Sequence, residues 1–330
     1  MFTPVLNITM PVFNRRESTL KSLLALHKCS RAVPFSVTVV DNGSDAALVG
    51  RLVDMKEAGI IDKLFLLEKN MGISCAANIG WEMTDAPYYM KLDNDMVVND
   101  KDFFPRIFAL WAHGEPLSTL GEGTPEQLLK NSGALHTKDG ILGVCANTLS
   151  GNAMFIPGGV SDILGMWSED YGLYGAEDGD YGLRMHCAGF PQYYYRLEGS
   201  LTDLGGNTGA EYRSRGLDKG VEYRAVLEDN REGYGLFLIN QALYNLCIRT
   251  WKPVRKYRVV DVSSDYRVRL EENDAFAEYK RLLDLCASRI NTQVSRNNFP
   301  NPDYIFSLDF IEELKGIMKS GGYDCAGGVS

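Results

Sequence analysis

Apolar and polar positions along the first hundred residues alternate between two periods. Val5–Met10, Phe35–Val40, Lys63–Glu68 and Tyr88–Leu92 are short apolar runs rich in β-branched and aromatic residues, the pattern of buried strands. Between them, Glu17–Cys29, Ala46–Ala58 and Ser74–Met83 carry apolar residues at helical spacing, as at Leu20, Leu23, Leu24 and Ala25. Gly59 stands where a C-cap is expected, and Gly72 opens the third helix. This rhythm predicts an α/β fold, a Rossmann-like, mostly parallel sheet with helices on both faces.

Parallel sheets gather ligand groups at the carboxyl ends of their strands. Polar clusters fall at each such end: Asn14-Arg15, Asp41-Asn42, Asn70 and Asp93-Asn94-Asp95. Residues 114–140 are richer in Gly, Thr, Ser and Pro and read as a connecting loop with a short helix. Strand character returns over 141–156, a helix start at 175–188 and a last strand at Tyr193–Leu197. Beyond Asn207 the rhythm stops, and helices are expected near 235–246, 274–291 and 307–319.

Composition narrows the class. The 330 residues are 45% hydrophobic and 23% charged, which excludes wholesale disorder. Acids outnumber bases 43 to 34, a net charge of −9, so a general affinity for nucleic acid is not expected. No run approaches the roughly 20 apolar residues of a spanning helix. The N-terminus reads as a first strand and not as a secretion signal. Seven scattered cysteines without a C-x-x-C pair fit reduced, buried thiols in a cytoplasmic protein.

Two clusters carry candidate chemistry. Asp93 and Asp95, one residue apart at a strand end, offer hard oxygen ligands to Mg²⁺ or Mn²⁺; an ordinary turn would also use them. Glu177-Asp178-Gly179-Asp180, with Arg184 four residues beyond Asp180, reads either as a well-capped helix or as a carboxylate aimed into a cleft as general base. Trp167 and Tyr171 are candidates for stacking on an acceptor ring. The stretch 249–258 holds five basic residues in ten; it reads as a solvated face or as a peripheral contact to an anionic membrane or glycan.

Five segments together resemble the family 2 glycosyltransferases of GT-A fold: TMPVFNR (9–15), VVDNGS (39–44), NMGISCAANIGW (70–81), KLDNDM (91–96) and YGAEDGDYGLR (174–184). The resemblance covers about residues 5–205, in the family's order. It implies a GT-A catalytic domain over 1–206, with a nucleotide-sugar half at about 1–100 and an acceptor half at 101–206, followed by a mainly helical extension over 207–330. It implies that Pro11, Val12, Phe13 and Asn14 hold the nucleotide base with Asp41, that Asn70, Gly72 and Asn78 line the nucleotide, and that Asp93 and Asn94 lie near the ribose. Asp95 would bind the metal directly, Asp93 directly or through water. Asp178 matches the general base, and Glu177 would contact the acceptor. The Glu-Asp motif is also similar to that of galactosyltransferase-type relatives.

The implied activity is transfer from a nucleotide-diphosphate sugar, UDP-linked by the family's habit, to a hydroxyl of a glycan, lipid-linked or other acceptor, with inversion by direct displacement. One departure concerns the metal: no His follows His186, and Asp203 or Asn207 would have to substitute as oxygen ligand. The Gln-x-x-Arg-Trp signature of processive synthases is missing, which favours single additions. A rival reading, resting on the missing His, is a non-catalytic nucleotide- or carbohydrate-binding protein of the same fold. A nucleotidyltransferase is disfavoured because Pro11–Asn14 is not a Gly-rich basic loop.

Overall fold

The computed structural model describes residues 4–129, 133–145, 148–173, 175–205, 236–296 and 306–323. Its first part runs β1 (Leu6–Val12), α1 (Arg16–His27), β2 (Phe35–Asp41), α2 (Ala46–Glu57), β3 (Lys63–Leu66), α3 (Ile73–Glu82) and β4 (Tyr88–Leu92). There follow β5 (Met96–Val98), α4 (Phe103–Trp111), β6 (Thr119–Glu122), α5 (Pro125–Leu129), β7 (Leu135–His136), β8 (Ile141–Val144), β9 (Ala153–Pro157) and α6 (Gly158–Leu164). Then come α7 (Glu177–Cys187), β10 (Gln192–Arg196) and β11 (Leu201–Asp203). The C-terminal part holds α8 (236–245), β12 (Tyr257–Val262), β13 (Val268–Glu272), α9 (Asp274–Arg296) and α10 (Leu308–Ser320).

Nine strands form one sheet in the order β3-β2-β1-β4-β9-β6-β10-β8-β7. β1 pairs in parallel with β2 and β4, and β2 with β3, so three crossover helices join four parallel strands. β9 runs antiparallel to both β4 and β6, and β8 antiparallel to β10. The sheet is α/β and mostly parallel, as expected, with these two strands reversed.

Alternation along β2 divides the core: Val37 and Val39 face α1, α2 and α4, while Val40 packs with Cys75, Ala76 and Ile79 of α3. The second face continues under α6 and α7, where Met154, Val160, Tyr181 and Met185 meet Trp81. Helices thus cover both faces, and the ends of β1, β2 and β4 open on one edge.

The expected connecting loop at 114–140 is instead built into the sheet: β6 lies between β9 and β10. Its sequence, Thr-Leu-Gly-Glu, lacks strand character because Gly121 leaves room for Leu149; a Cβ there would lie 2.9 Å from the Leu149 Cβ. α4 is likewise unannounced, Pro105 interrupting its pattern, yet a proline in the first turn removes no helical hydrogen bond. In the C-terminal part α8, α9 and α10 pack around Leu243, Leu282, Leu283, Cys286 and Leu314. The β12–β13 hairpin was not expected there; its Tyr257, Val259 and Leu270 cover Phe65 and Leu67. The expected division at 206/207 and the alternative ligand Asn207 lie outside the described residues. Among the described residues no helix is long and apolar enough to cross a membrane.

Candidate functional site

At the end of β1 the backbone turns through two consecutive left-handed residues, Asn14 and Arg15, each with φ 55°. This conformation costs energy in residues with a Cβ, and Asn bears it best. Hydrogen bonds hold it: the Asn14 N–H donates to Ser44 Oγ (2.8 Å), and the Asp45 N–H donates to Asn14 Oδ1 (3.1 Å). Asn94 donates to Thr19 Oγ1 (2.8 Å) and the Asn14 carbonyl (3.3 Å), so its amide braces the turn rather than facing a ribose. The twist aims Arg15 back at Asp95, with which it forms an ion pair.

Asp41 is buried beside this turn. Its Oδ2 accepts the Ser44 N–H (3.1 Å), while Oδ1 has no partner, and burial pushes the carboxyl above its ordinary range. Asn70 Oδ1 accepts from Asn42 Nδ2 (2.8 Å) and the Gly72 N–H (2.9 Å), which shapes the loop after β3. Gly72 has φ 94°, and a Cβ there would sit 2.6 Å from the Gly172 carbonyl, so only glycine fits.

Three expected nucleotide-lining residues are used elsewhere. Pro11 and Val12 are buried strand residues, Val12 in the core between sheet and helices, which leaves Phe13 and Asn14 at the open edge. Asn78 is enclosed: its Nδ2 donates to the Trp167 carbonyl (2.9 Å) and Glu169 Oε1 (2.8 Å), and its Oδ1 accepts the Trp167 N–H (2.9 Å). It clamps the segment before α7 and lines no cleft.

Asp93, Asp95 and Asp203 are the expected metal ligands. β11 pairs with β5 so that Asp203 lies opposite Met96, and the Leu204 N–H donates to the Asp95 carbonyl (2.9 Å). A Cβ placed on Gly205 would fall 2.8 Å from both Asp95 Oδ2 and Asp203 Oδ1, so the two oxygens converge on the space that glycine leaves open. Burial pushes Asp95 up; Arg15 pulls it down, and Asp93 and Asp203 push it further up. Among the described residues no three His, Cys, Asp or Glu gather to hold an ion unaided. The donor set nonetheless suits Mg²⁺ or Mn²⁺, which take one or two carboxylates and complete their shell from phosphates and water. Arg15 already occupies the place of a cation there.

Asp93 points the other way, to Lys91, whose Nζ donates to Asp93 Oδ1 (2.7 Å) and the Gly151 carbonyl (2.8 Å). The Gly151 N–H in turn donates to Asp178 Oδ2 (3.1 Å), and the Gly179 N–H donates to Asp178 Oδ1 (2.7 Å). Glu177, beside it in the first turn of α7, is buried; desolvation pushes its carboxyl up to about 7, against the pull of Lys91. A carboxyl raised towards neutrality beside a second carboxyl is a usual acid–base arrangement. Lys91 escaped the sequence reading, although a lysine inside the apolar strand YYMKL was a visible signal, and Arg15 entered it only as part of a polar strand end.

The expected acceptor aromatics are not available for stacking. Trp167 is 1% exposed and packs on Trp81 and Tyr181. Tyr171 is 5% exposed and donates to Asp180 Oδ1 (2.8 Å) while accepting from Asn240 Nδ2 (2.7 Å). Asp180 itself is sealed against Arg184 (2.7 Å) and belongs to the scaffold. The basic stretch 249–258 is not a free cationic face either. Arg249 is enclosed with Asp170 and Tyr279, Arg255 pairs with Glu169 (2.5 Å) and Glu82 (3.1 Å), and Arg258 pairs with Glu271 (3.3 Å). Acids of the chain itself thus pair with the three arginines of the stretch, while Lys252 stays exposed.

The family model described as Glycosyl transferase family 2 matches residues 7–137. No curated protein matches the chain. Among solved structures it is similar to the mannosyltransferase PcManGT from Pyrobaculum calidifontis in complex with GDP-Man and Mn²⁺, at 12% identity and a TM-score of 0.47, covering 74% of this chain and 63% of that one. It is also similar to S. aureus TarS 1–349 in complex with UDP-GlcNAc, at 20% identity and a TM-score of 0.43, covering 59% of each chain. GalNAc-T7 with UDP, GalNAc and Mn²⁺ matches at 14% identity and a TM-score of 0.45, covering 60% of this chain and 45% of that one. The chain therefore spans less than two thirds of the length of each of these three structures. The family match is thus confined to residues 7–137, the segment from β1 through β7 and less than half of the chain.

Proposed function

We propose that this protein transfers a sugar from a nucleotide-diphosphate sugar, a UDP-sugar, to an acceptor hydroxyl with inversion at the anomeric carbon. The observation that carries the reading is the meeting of two acid pairs: Asp95 with Asp203 on one side, and Glu177 with Asp178 across Lys91 and Gly151.

The roles follow from the partners each group already has. The unpartnered oxygen of Asp41 suits an imide N–H, the donor that a uracil ring presents. Phe13 and Asn14 flank it at the end of β1. Asp178 is held by two backbone N–H groups and keeps lone pairs free, as a general base requires. It takes the hydroxyl proton as the acceptor oxygen bonds to the anomeric carbon and the bond from that carbon to the phosphate oxygen breaks. Glu177 is enclosed beside it and bears on the site through its charge on Lys91. Arg15 offers a fixed positive charge to the departing diphosphate. A divalent cation, Mn²⁺ or Mg²⁺, held by Asp95 and Asp203, would neutralise charge on that diphosphate.

The test is transfer and donor hydrolysis, each with and without Mn²⁺. Asp178→Asn and Asp95→Ala should each lower turnover by roughly 10²-fold or more while the fold persists. Parental rates in both variants would sink the assignment.

A further inference from the structure

Among the described residues, Lys91 is the one lysine whose ammonium is enclosed between the two halves of the proposed site. Its side chain is 2% exposed, although it projects from the central strand β4, and its Nζ also lies 5.8 Å from the Trp167 ring centre. Its Nζ pairs with Asp93 (2.7 Å), and the carboxyls of Glu177 and Asp178 stand near it on the other side. Gly151 completes the connection. Its carbonyl accepts from Lys91 and its N–H donates to Asp178. A Cβ on Gly151 would lie 3.1 Å from the Asp178 Cβ and 3.3 Å from Lys91 Nζ. Asp93, Lys91, Gly151 and Asp178 are therefore one continuous chain of contacts from the donor acids to the acceptor acids.

We propose that Lys91 is a positioning residue for transfer: its ammonium fixes the spacing between Asp93 and the Glu177–Asp178 pair, and keeps those carboxylates from competing with Asp95 and Asp203 for the divalent cation. This rests on the functional reading above. An ion pair confined to one half would hold only that half; here one charge serves both. A lysine suits the task because its ammonium is a compact point charge with several donors, and the planar guanidinium of arginine needs more room.

The consequence has a sign that loss of folding would not produce. Removing the ammonium adds one uncompensated negative charge near the cation site, so Lys91→Met should bind Mn²⁺ roughly tenfold more tightly. Displaced acceptor acids should at the same time lower kcat roughly 10²-fold, with the donor KM within about threefold of the parent. Mn²⁺ titration of the full chain, with UDP present and without donor sugar, measures the first effect; steady-state kinetics measure the second. The double variant Lys91→Met/Asp93→Asn removes both charges, should bring Mn²⁺ affinity back to the parental value, and leaves kcat low. Should Lys91→Met not fold, the double variant decides by the same two readings against the parent. Mn²⁺ affinity unchanged or weakened in Lys91→Met, or kcat at the parental level in either variant, would overturn the proposal. A parent protein that transfers no sugar to any acceptor would defeat the functional reading, and the Mn²⁺ titration would still judge the charge role of Lys91.

Discussion

Asp178 and Asp180 stand two residues apart in the first turn of α7 and have opposite fates. Asp180 is wholly enclosed: Arg184 pairs with it, and Tyr171 donates to it and is itself held by Asn240 of α8. Arg184 goes on to donate to the Leu164 and Met166 carbonyls, so the charges are neutralised and nearly every donor is used. Asp178 is held only by backbone N–H groups from Gly151 and Gly179 and remains partly exposed. Asp170 and Asp95 differ in degree: Asp170 pairs with Arg249 where both side chains are fully enclosed, whereas Asp95 pairs with Arg15 where both keep some exposure, and its Oδ2 converges with Asp203 Oδ1 beside Gly205. Carboxylates enclosed with an internal arginine hold the fold together, whereas those that keep exposure at an open edge are free for chemistry.

Breaking a sealed acid should give the largest change in stability. Asp180→Ala leaves Arg184 charged and unpaired in the interior, and about 3–5 kcal/mol should be lost in urea unfolding. Asp178→Asn, in the same turn, should lose less than about 1 kcal/mol. Comparable losses in the two variants would erase the distinction. Gly205→Ala sharpens it at the open edge: the added methyl meets two carboxylate oxygens, so Mn²⁺ affinity should fall roughly tenfold with little loss of stability. Unaltered Mn²⁺ binding would remove those two oxygens from the cation site.

Glu177 lies between the two classes, buried yet next to the proposed chemistry. Its carboxyl moves from 4.5 to about 7 on folding. Across that window the folded protein keeps a proton that the unfolded chain has released, so its contribution to stability is lost as pH rises. Glu177→Gln should flatten this slope in denaturation measured at several pH values; parallel slopes would place the burden on another group. The smallest effect concerns Ala176, left-handed at φ 60° just before α7. Ala176→Gly should relieve about 1 kcal/mol of strain and raise the melting temperature slightly.

The donor half was legible because its strands are β-branched runs with polar residues at their ends, and local sequence suffices for both. β1 to β4 accordingly start and stop within two residues of expectation. What escaped depends on partners distant in sequence. Whether Asp178 or Asp180 faces the cleft is decided by what α7 packs against, and Arg184 and Tyr171 make that choice. Trp167 was read as a stacking platform because nothing local reveals that Trp81 and Tyr181 enclose it. The basic stretch misled for the same reason, since Asp170 and Glu169 reach Arg249 and Arg255 across about eighty residues of chain. Asn78 belongs to this group too, its role set by the backbone of Trp167.

β5 and β11 form a two-stranded ribbon separate from the nine-stranded sheet. During synthesis, Asp95 leaves the ribosome well before Asp203 does. On the proposed reading, the cation pocket would then be completed as a late clasp, once β11 docks on β5.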